Sequence, residues 1–146
     1  MYIIPESLTA DIRYNQRLIE QYKKGEISGA QLKSNRVPMG IYEQRQDGHF
    51  MLRIRCTGGL ITPQQLRRVA EVGAQVNCSH IHITTRQEVQ IHDVDIDDAT
   101  PALLRLQEVG LATQGGGGNT VRNMLVNELE TLPGATVIPV SAKERF

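Results

Sequence analysis

From His49 onward the chain alternates. Phe50, Leu52, Ile54 and Cys56 are separated by Met51, Arg53 and Arg55, the period-two pattern of a strand buried on one side. Gly58-Gly59 ends that run, and Thr62-Pro63-Gln64-Gln65 reads as a helix start. Thr62 can cap free amides, Pro63 suits the first helical position, and Gln65 completes a capping box. Leu66, Val69, Ala70 and Val72 then form an apolar stripe reaching Val76, while Gln64, Arg67, Arg68 and Glu71 take the opposite side. Residues 80–84 and 89–94 alternate again on either side of a polar turn, Thr85-Arg86-Gln87-Glu88, which predicts a hairpin. A second helix is expected to start at Thr100 and Pro101, to carry Leu103, Leu104 and Leu106, and to end at Gly110 in a left-handed cap. A glycine run and Asn119 lead to a last short strand over 123–126.

The order strand, helix, strand, strand, helix, strand predicts an α+β fold. It is the ferredoxin-like βαββαβ arrangement, one antiparallel sheet with both helices on one face. Upstream, residues 9–24 place Ile12, Leu18, Ile19 and Tyr22 at helical spacing, which predicts an amphipathic N-terminal helical arm. Residues 23–48 contain Gly25, Gly29, Pro38 and Gly40 without sustained periodicity and read as a wrapping segment or linker. The expected division is an N-terminal helix and wrapping segment over 1–47, a half domain over 48–128 and a tail over 129–146.

Composition changes this picture little. A chain of 146 residues, 40% hydrophobic and 22% charged, suits one globular domain. Sixteen Lys and Arg balance 16 Asp and Glu, so no global field points to nucleic acid or an anionic membrane, and a basic site has to arise from local placement. The apolar runs fall far short of the roughly 20 residues needed to cross a bilayer. Two cysteines and no charged, apolar leader make a reducing cytoplasmic setting the expectation. Cys56 reads as a small core residue and Cys78 lies at a helix-to-strand junction.

Local placement is informative. If Leu52, Ile54, Ile81, Ile83, Val89 and Ile91 face the helices, alternation puts Arg53, Arg55, His80, His82, Gln90 and His92 on the other side. A solvated face alone would also carry polar residues. Here, however, two arginines and three histidines converge with no carboxylate between them, which points to an anionic ligand. RNA binding on a sheet of this kind uses exposed aromatic rings, and the central strands present none on that side. The three histidines could chelate a metal, but Cys or carboxylate partners at ligand spacing are missing. A polyanionic cofactor or small oxyanion fits best, because planar guanidinium groups give such ligands paired hydrogen bonds.

Four segments are then recognisable together: Phe50-Met51-Leu52-Arg53-Ile54-Arg55, Gly58-Gly59-Leu60-Ile61-Thr62, the stretch from Ile81-His82-Ile83-Thr84-Thr85-Arg86-Gln87-Glu88 to Val89-Gln90-Ile91-His92, and Gly117-Gly118-Asn119-Thr120-Val121-Arg122-Asn123. In order and spacing they resemble the sulfite and nitrite reductase ferredoxin-like half domain over about residues 48–123. The resemblance implies a siroheme-dependent reduction of sulfite or nitrite, with an iron–sulfur cluster, an electron donor and further reductase domains or a second copy of the chain as partners. By position, Arg53 and Arg122 resemble the catalytic pair that holds the substrate oxyanion. Arg86 and Gln87 resemble siroheme contacts, with Arg53, Arg55, Gln90, His92, Asn119 and Arg122 also facing the cofactor. No metal ligand is assigned.

The chain also departs from that pattern. No cysteine series follows Asn123, no second half domain appears, and Cys56 and Cys78 cannot replace cluster ligands. Gln114-Gly115-Gly116-Gly117-Gly118 lacks the ending and context of a phosphate-binding loop and reads as a flexible connection. Beyond Met124 the resemblance ends in Leu132-Pro133-Gly134 and Val137-Ile138-Pro139-Val140. Two classes stay open: part of a reductase, inactive alone, or a non-catalytic binding or dimerisation module on the same fold.

Overall fold

The computed structural model describes residues 4–121 and 123. Two N-terminal helices, α1 (Leu8–Lys23) and α2 (Gly29–Arg36), precede strands β1 (Ile41–Glu43) and β2 (His49–Ile54). A short 3-10 turn leads to α3 (Pro63–Gln75), the hairpin β3 (Ile81–Ile83) and β4 (Val89–Asp95), and α4 (Ile96–Gln107). The sheet has four antiparallel strands in the order β1-β2-β4-β3. This is the expected α+β, ferredoxin-like architecture with a helix before it.

Helix α3 starts as its sequence predicts. The Thr62 hydroxyl accepts from Gln65 N while the Gln65 side chain accepts from Thr62 N, and Pro63 fills the first position. At the end of α4, Gly110 takes φ +77°, and Leu111 N reaches back to Leu106 O at 3.1 Å, closing the helix end. The core lies between sheet and helices, where Leu52, Ile54 and Ile91 meet Val69, Val72, Leu103 and Leu106. Leu8 and Ile12 of α1 join the same cluster. Cys56 is buried there, and desolvation pushes its thiol up to about 11.

Several local expectations change. Residues 23–48 contain elements of their own: Ser28 and Gln31 form a capping box that starts α2, and β1 pairs with β2. Such short pieces are too brief for periodicity to reveal. Helix α4 begins at Ile96, capped by Asp95 on Asp97 N, so Thr100 and Pro101 sit inside it rather than at its start. The edge beside β2 belongs to β1, extended by a single bridge between Arg55 and Ala112. Asn123 is not in a strand, and 124–126 lie outside the described residues. Ile83 is 70% exposed and Ile81 38%, because β3 is the sheet edge, although Ile81 still lies against Gly73 of α3; Leu66 of α3 is 47% exposed. Tyr22 is 45% exposed at the end of α1. No described helix is long and apolar enough to cross a membrane.

Candidate functional site

The side of the sheet away from the helices is built by register. Arg53 of β2 stands opposite Gln90 of β4, and Gln90 stands opposite His82 of β3. One row therefore crosses three strands. Beside it the pairing of β2 with β4 shifts between Phe50 and Leu52, and Asp93 takes φ +57°. His92 and Asp93 thus oppose Met51 as a bulge. That extra residue lets Val94 return to the core after Ile91 and aims His92 into the row. His92 stacks on His80 with ring centroids 4.3 Å apart and lies 6.1 Å from the His82 ring.

Gln90 is buried at the centre. With its Oε1 turned towards Arg53, it accepts from Nε at 3.1 Å and Nη2 at 2.9 Å, while its Nε2 faces His92 Nε2 at 3.2 Å and His82 Nδ1 at 3.3 Å. The reverse orientation gives Oε1 to the two imidazoles and sets the amide N–H groups against the guanidinium. Gln44 closes the other side of His92. Its Oε1 accepts from Asp93 N at 2.7 Å, which turns its Nε2 to His92 Nδ1 at 3.2 Å. Among the described residues no carboxylate hydrogen-bonds Arg53, Gln90, His82 or His92. Burial, then the neighbouring His80 and His82, hold the His92 pKa below its ordinary value, and Asp93 opposes them.

Arg53 lies over the Tyr42 ring, 5.1 Å from its centroid, and its Nη1 points to Gly116 O at 3.5 Å. Arg55 turns away from the row. Its Nη1 donates to Gly115 O at 3.0 Å and its Nη2 to Val121 O at 3.3 Å, with Glu88 at 4.0 Å from Nε. A buried acid therefore does stand beside one arginine, contrary to the carboxylate-free face the alternation suggests, because the turn before β4 folds Glu88 inward.

The glycine run is docked, not a loose connection. Gly115 N donates to Pro38 O at 2.7 Å and Gly118 N to the Tyr42 hydroxyl at 3.2 Å. A Cβ at Gly117 would strike that hydroxyl and lie 2.5 Å from Val37 O, so only glycine fits. Asn119 is exposed on this loop.

Arg86 sits in a turn held from two sides. The Thr84 hydroxyl accepts from Arg86 N at 3.2 Å and Glu88 N at 3.1 Å, and Asn123 Nδ2 donates to Cys56 O and Arg86 O at 2.9 Å each. Gln87 takes φ +57° at its tip. Arg122 lies outside the described residues. The structure thus brings Arg53, Gln90, His82 and His92 together, directs Arg55 to the loop, and keeps Arg86 and Gln87 on the adjoining turn. Sequence reasoning missed Tyr42, Gln44 and Asn123. Tyr42 belongs to a strand too short for periodicity, Gln44 directly follows that strand, and Asn123 acts through contacts far away in sequence. Among the described residues no group of three or more His, Cys, Asp or Glu could hold a metal ion.

Fold and site define an α+β domain whose open sheet face is rich in hydrogen-bond donors. Residues 42–109 match the family model of the nitrite/sulfite reductase ferredoxin-like half domain, the family this part of the chain resembles. It is 40% identical over 82 residues to the sulfite reductase [NADPH] hemoprotein beta-component of Myxococcus xanthus, covering 56% of this chain and 14% of that protein. It is 32% identical over 116 residues to a chloroplastic ferredoxin–nitrite reductase of Betula pendula, covering 76% and 20% respectively. The structure of Mycobacterium tuberculosis NirA superposes with a TM-score of 0.69 at 25% identity over 83% of this chain and 26% of that one. The chain spans 14–20% of the length of these two curated relatives.

Proposed function

We propose that this chain supplies one wall of a siroheme and oxyanion pocket in a sulfite or nitrite reductase. The observation that carries this reading is the surplus of donors in the row. Arg53, Gln90, Gln44, His82 and His92 present more N–H groups than acceptors, whichever way the Gln90 amide points. The buried Gln90 has one amide oxygen to offer, which cannot serve the Arg53 guanidinium and the two imidazoles together, so an acceptor from outside the chain would complete the row.

An anionic, carboxylate-bearing tetrapyrrole fits this donor set. Arg86, Gln87 and Asn119 would meet its carboxylates at the rim, and Arg53, Gln90 and His92 would face its interior side. When bound, siroheme would supply the iron at which electrons reach the substrate. The chain's own residues do the rest. Arg53, with Arg122, would hold the oxyanion and offset charge as its N–O or S–O bonds weaken. Arg55 anchors the glycine loop beside the cofactor face, and Tyr42 supports Arg53 from below. The electron donor, the cluster-bearing domains and a cytoplasmic location belong to this proposal as the expected setting.

Absorption titration of the chain with siroheme tests it. Saturable binding is expected, weakened by about tenfold or more, equivalent to ~1.4 kcal/mol, in the double variant Arg53→Ala plus Arg86→Ala. Absence of tetrapyrrole binding, or equal binding by the double variant, would overturn the reading in favour of a module without redox function.

A further inference from the structure

We propose that Gln90 is a positioning residue that couples an acceptor bound at Arg53 to the tautomer of His92, by rotating its amide between the two. The inference rests on the anion-binding reading above and deepens it. It follows from a conflict in the row that no arrangement of the chain's own hydrogens removes.

Consider the amide with Oε1 towards Arg53. Two bonds to a charged guanidinium, at 3.1 and 2.9 Å, make this the stronger arrangement for the free chain. The Nε2 group then donates to His82 Nδ1 and His92 Nε2, so both nitrogens have to be bare. The single proton of a neutral His92 is forced onto Nδ1. There it confronts Gln44 Nε2 at 3.2 Å, and Gln44 cannot turn round because its Oε1 holds Asp93 N at 2.7 Å. Two N–H groups face each other.

In the reverse arrangement His92 is content. Its Nε2–H donates to Gln90 Oε1 at 3.2 Å, its bare Nδ1 accepts from Gln44, and His82 Nδ1–H also reaches Gln90 Oε1 at 3.3 Å. The conflict has moved to Arg53, which now meets the amide N–H groups. An external acceptor that draws the guanidinium away from Gln90 removes both the attraction that holds the first arrangement and the N–H clash that opposes the second, and releases Gln90 into the second. The proton of His92 passes from Nδ1 to Nε2, and His82 gains a bonded place for a proton on Nδ1. A reductive step that consumes protons would draw on imidazoles whose proton positions report occupancy of Arg53.

The groups around His92 fit a change of tautomer and not of charge. His80 stacks on it, His82 lies on the same side, Arg53 stands across β2, and only Asp93 favours its cation. Asp93 is itself engaged by the Ser79 hydroxyl and lies 3.8 Å from His49.

The test is 15N NMR of the imidazole nitrogens and of Arg53 Nε in the full chain near neutral pH, titrated with sodium nitrite against sodium chloride at equal ionic strength. The expected result is an exchange of the protonated and bare 15N positions of His92, following the same saturation curve as Arg53 Nε. In Gln90→Met the Arg53 signal should still respond while the His92 tautomer stays unchanged. In Gln90→Glu, which offers an acceptor to both sides at once, His92 should carry its proton on Nε2 before any nitrite is added. The Glu variant keeps the test decisive if the Met variant does not fold. Saturation at Arg53 with an unmoved His92 in the wild type would overturn the coupling and leave the anion site standing. Absence of any saturable, nitrite-specific change at Arg53 would overturn the anion site, and the coupling with it.

Discussion

The two sides of the sheet obey different rules. Towards the helices, Leu52, Ile54, Ile91 and Val94 are fully buried among apolar neighbours, and every one of them is satisfied by contact alone. Towards the other side only Gln90 is buried, Arg53 and His92 are half-buried and His82 is exposed, and each needs a directional partner that the Gln90 amide cannot supply to both sides at once. The same strands therefore carry a side held by apolar contact and a side held by directional polar contacts, the proposed ligand face. What sets the open side apart is a buried amide, Gln90, that is shared between a guanidinium and two imidazoles with opposite demands.

The comparison can be broken most strongly on the helix side. Ile91→Ala removes a fully buried side chain from the middle of the sheet, and urea denaturation should show a loss of about 2–5 kcal/mol. The docked loop comes next. Gly117→Ala forces a methyl group into Val37 O and the Tyr42 hydroxyl, and should cost about 1–3 kcal/mol while weakening siroheme binding, since the loop covers Arg53. Thr62→Ala breaks one half of the α3 capping box, for a loss of about 1 kcal/mol in the same assay without change in ligand binding.

The open side should respond to pH instead. The His92 pKa is lowered in the fold, chiefly by burial, so the unfolded chain binds that proton more readily. Stability from this residue is therefore complete above its ordinary value of about 6.5 and is lost as pH falls below it, levelling off once the folded form also titrates. Thermal unfolding between pH 8 and pH 5 should show this decline, and His92→Gln should flatten it. The smallest effect is expected at the sheet edge. Ile83→Ser, at a residue 70% exposed, should change stability by no more than about 0.5 kcal/mol. A large loss there would mean that the edge is less free than its exposure implies.

Much of the site was legible in residues 49–92, because strand alternation is a local rule. Arg53, Gln90 and His82 share a face for no other reason than their spacing, and the register of a hairpin and its neighbour aligns them. Even the bulge leaves a trace, since Val89, Ile91 and Val94 step by two and then by three. Arg55 obeys the same alternation but serves a different end. The spacing places it on the face; only the loop arriving from 115–121 shows that its guanidinium is already engaged.

The sequence by itself determined the helix caps at Thr62 and Gly110, the hairpin, and which strand residues point away from the core, because each depends on neighbours within a few positions. Tertiary structure alone decided that β1 occupies the sheet edge, that the glycine run is clamped against Tyr42 and Arg55, and that Asn123 ties the Arg86 turn to the end of β2. It also decided the donor surplus around Gln90. Hydrogen-bond accounts close, or fail to close, only among groups that the fold has brought within 3.5 Å, whatever their distance along the chain.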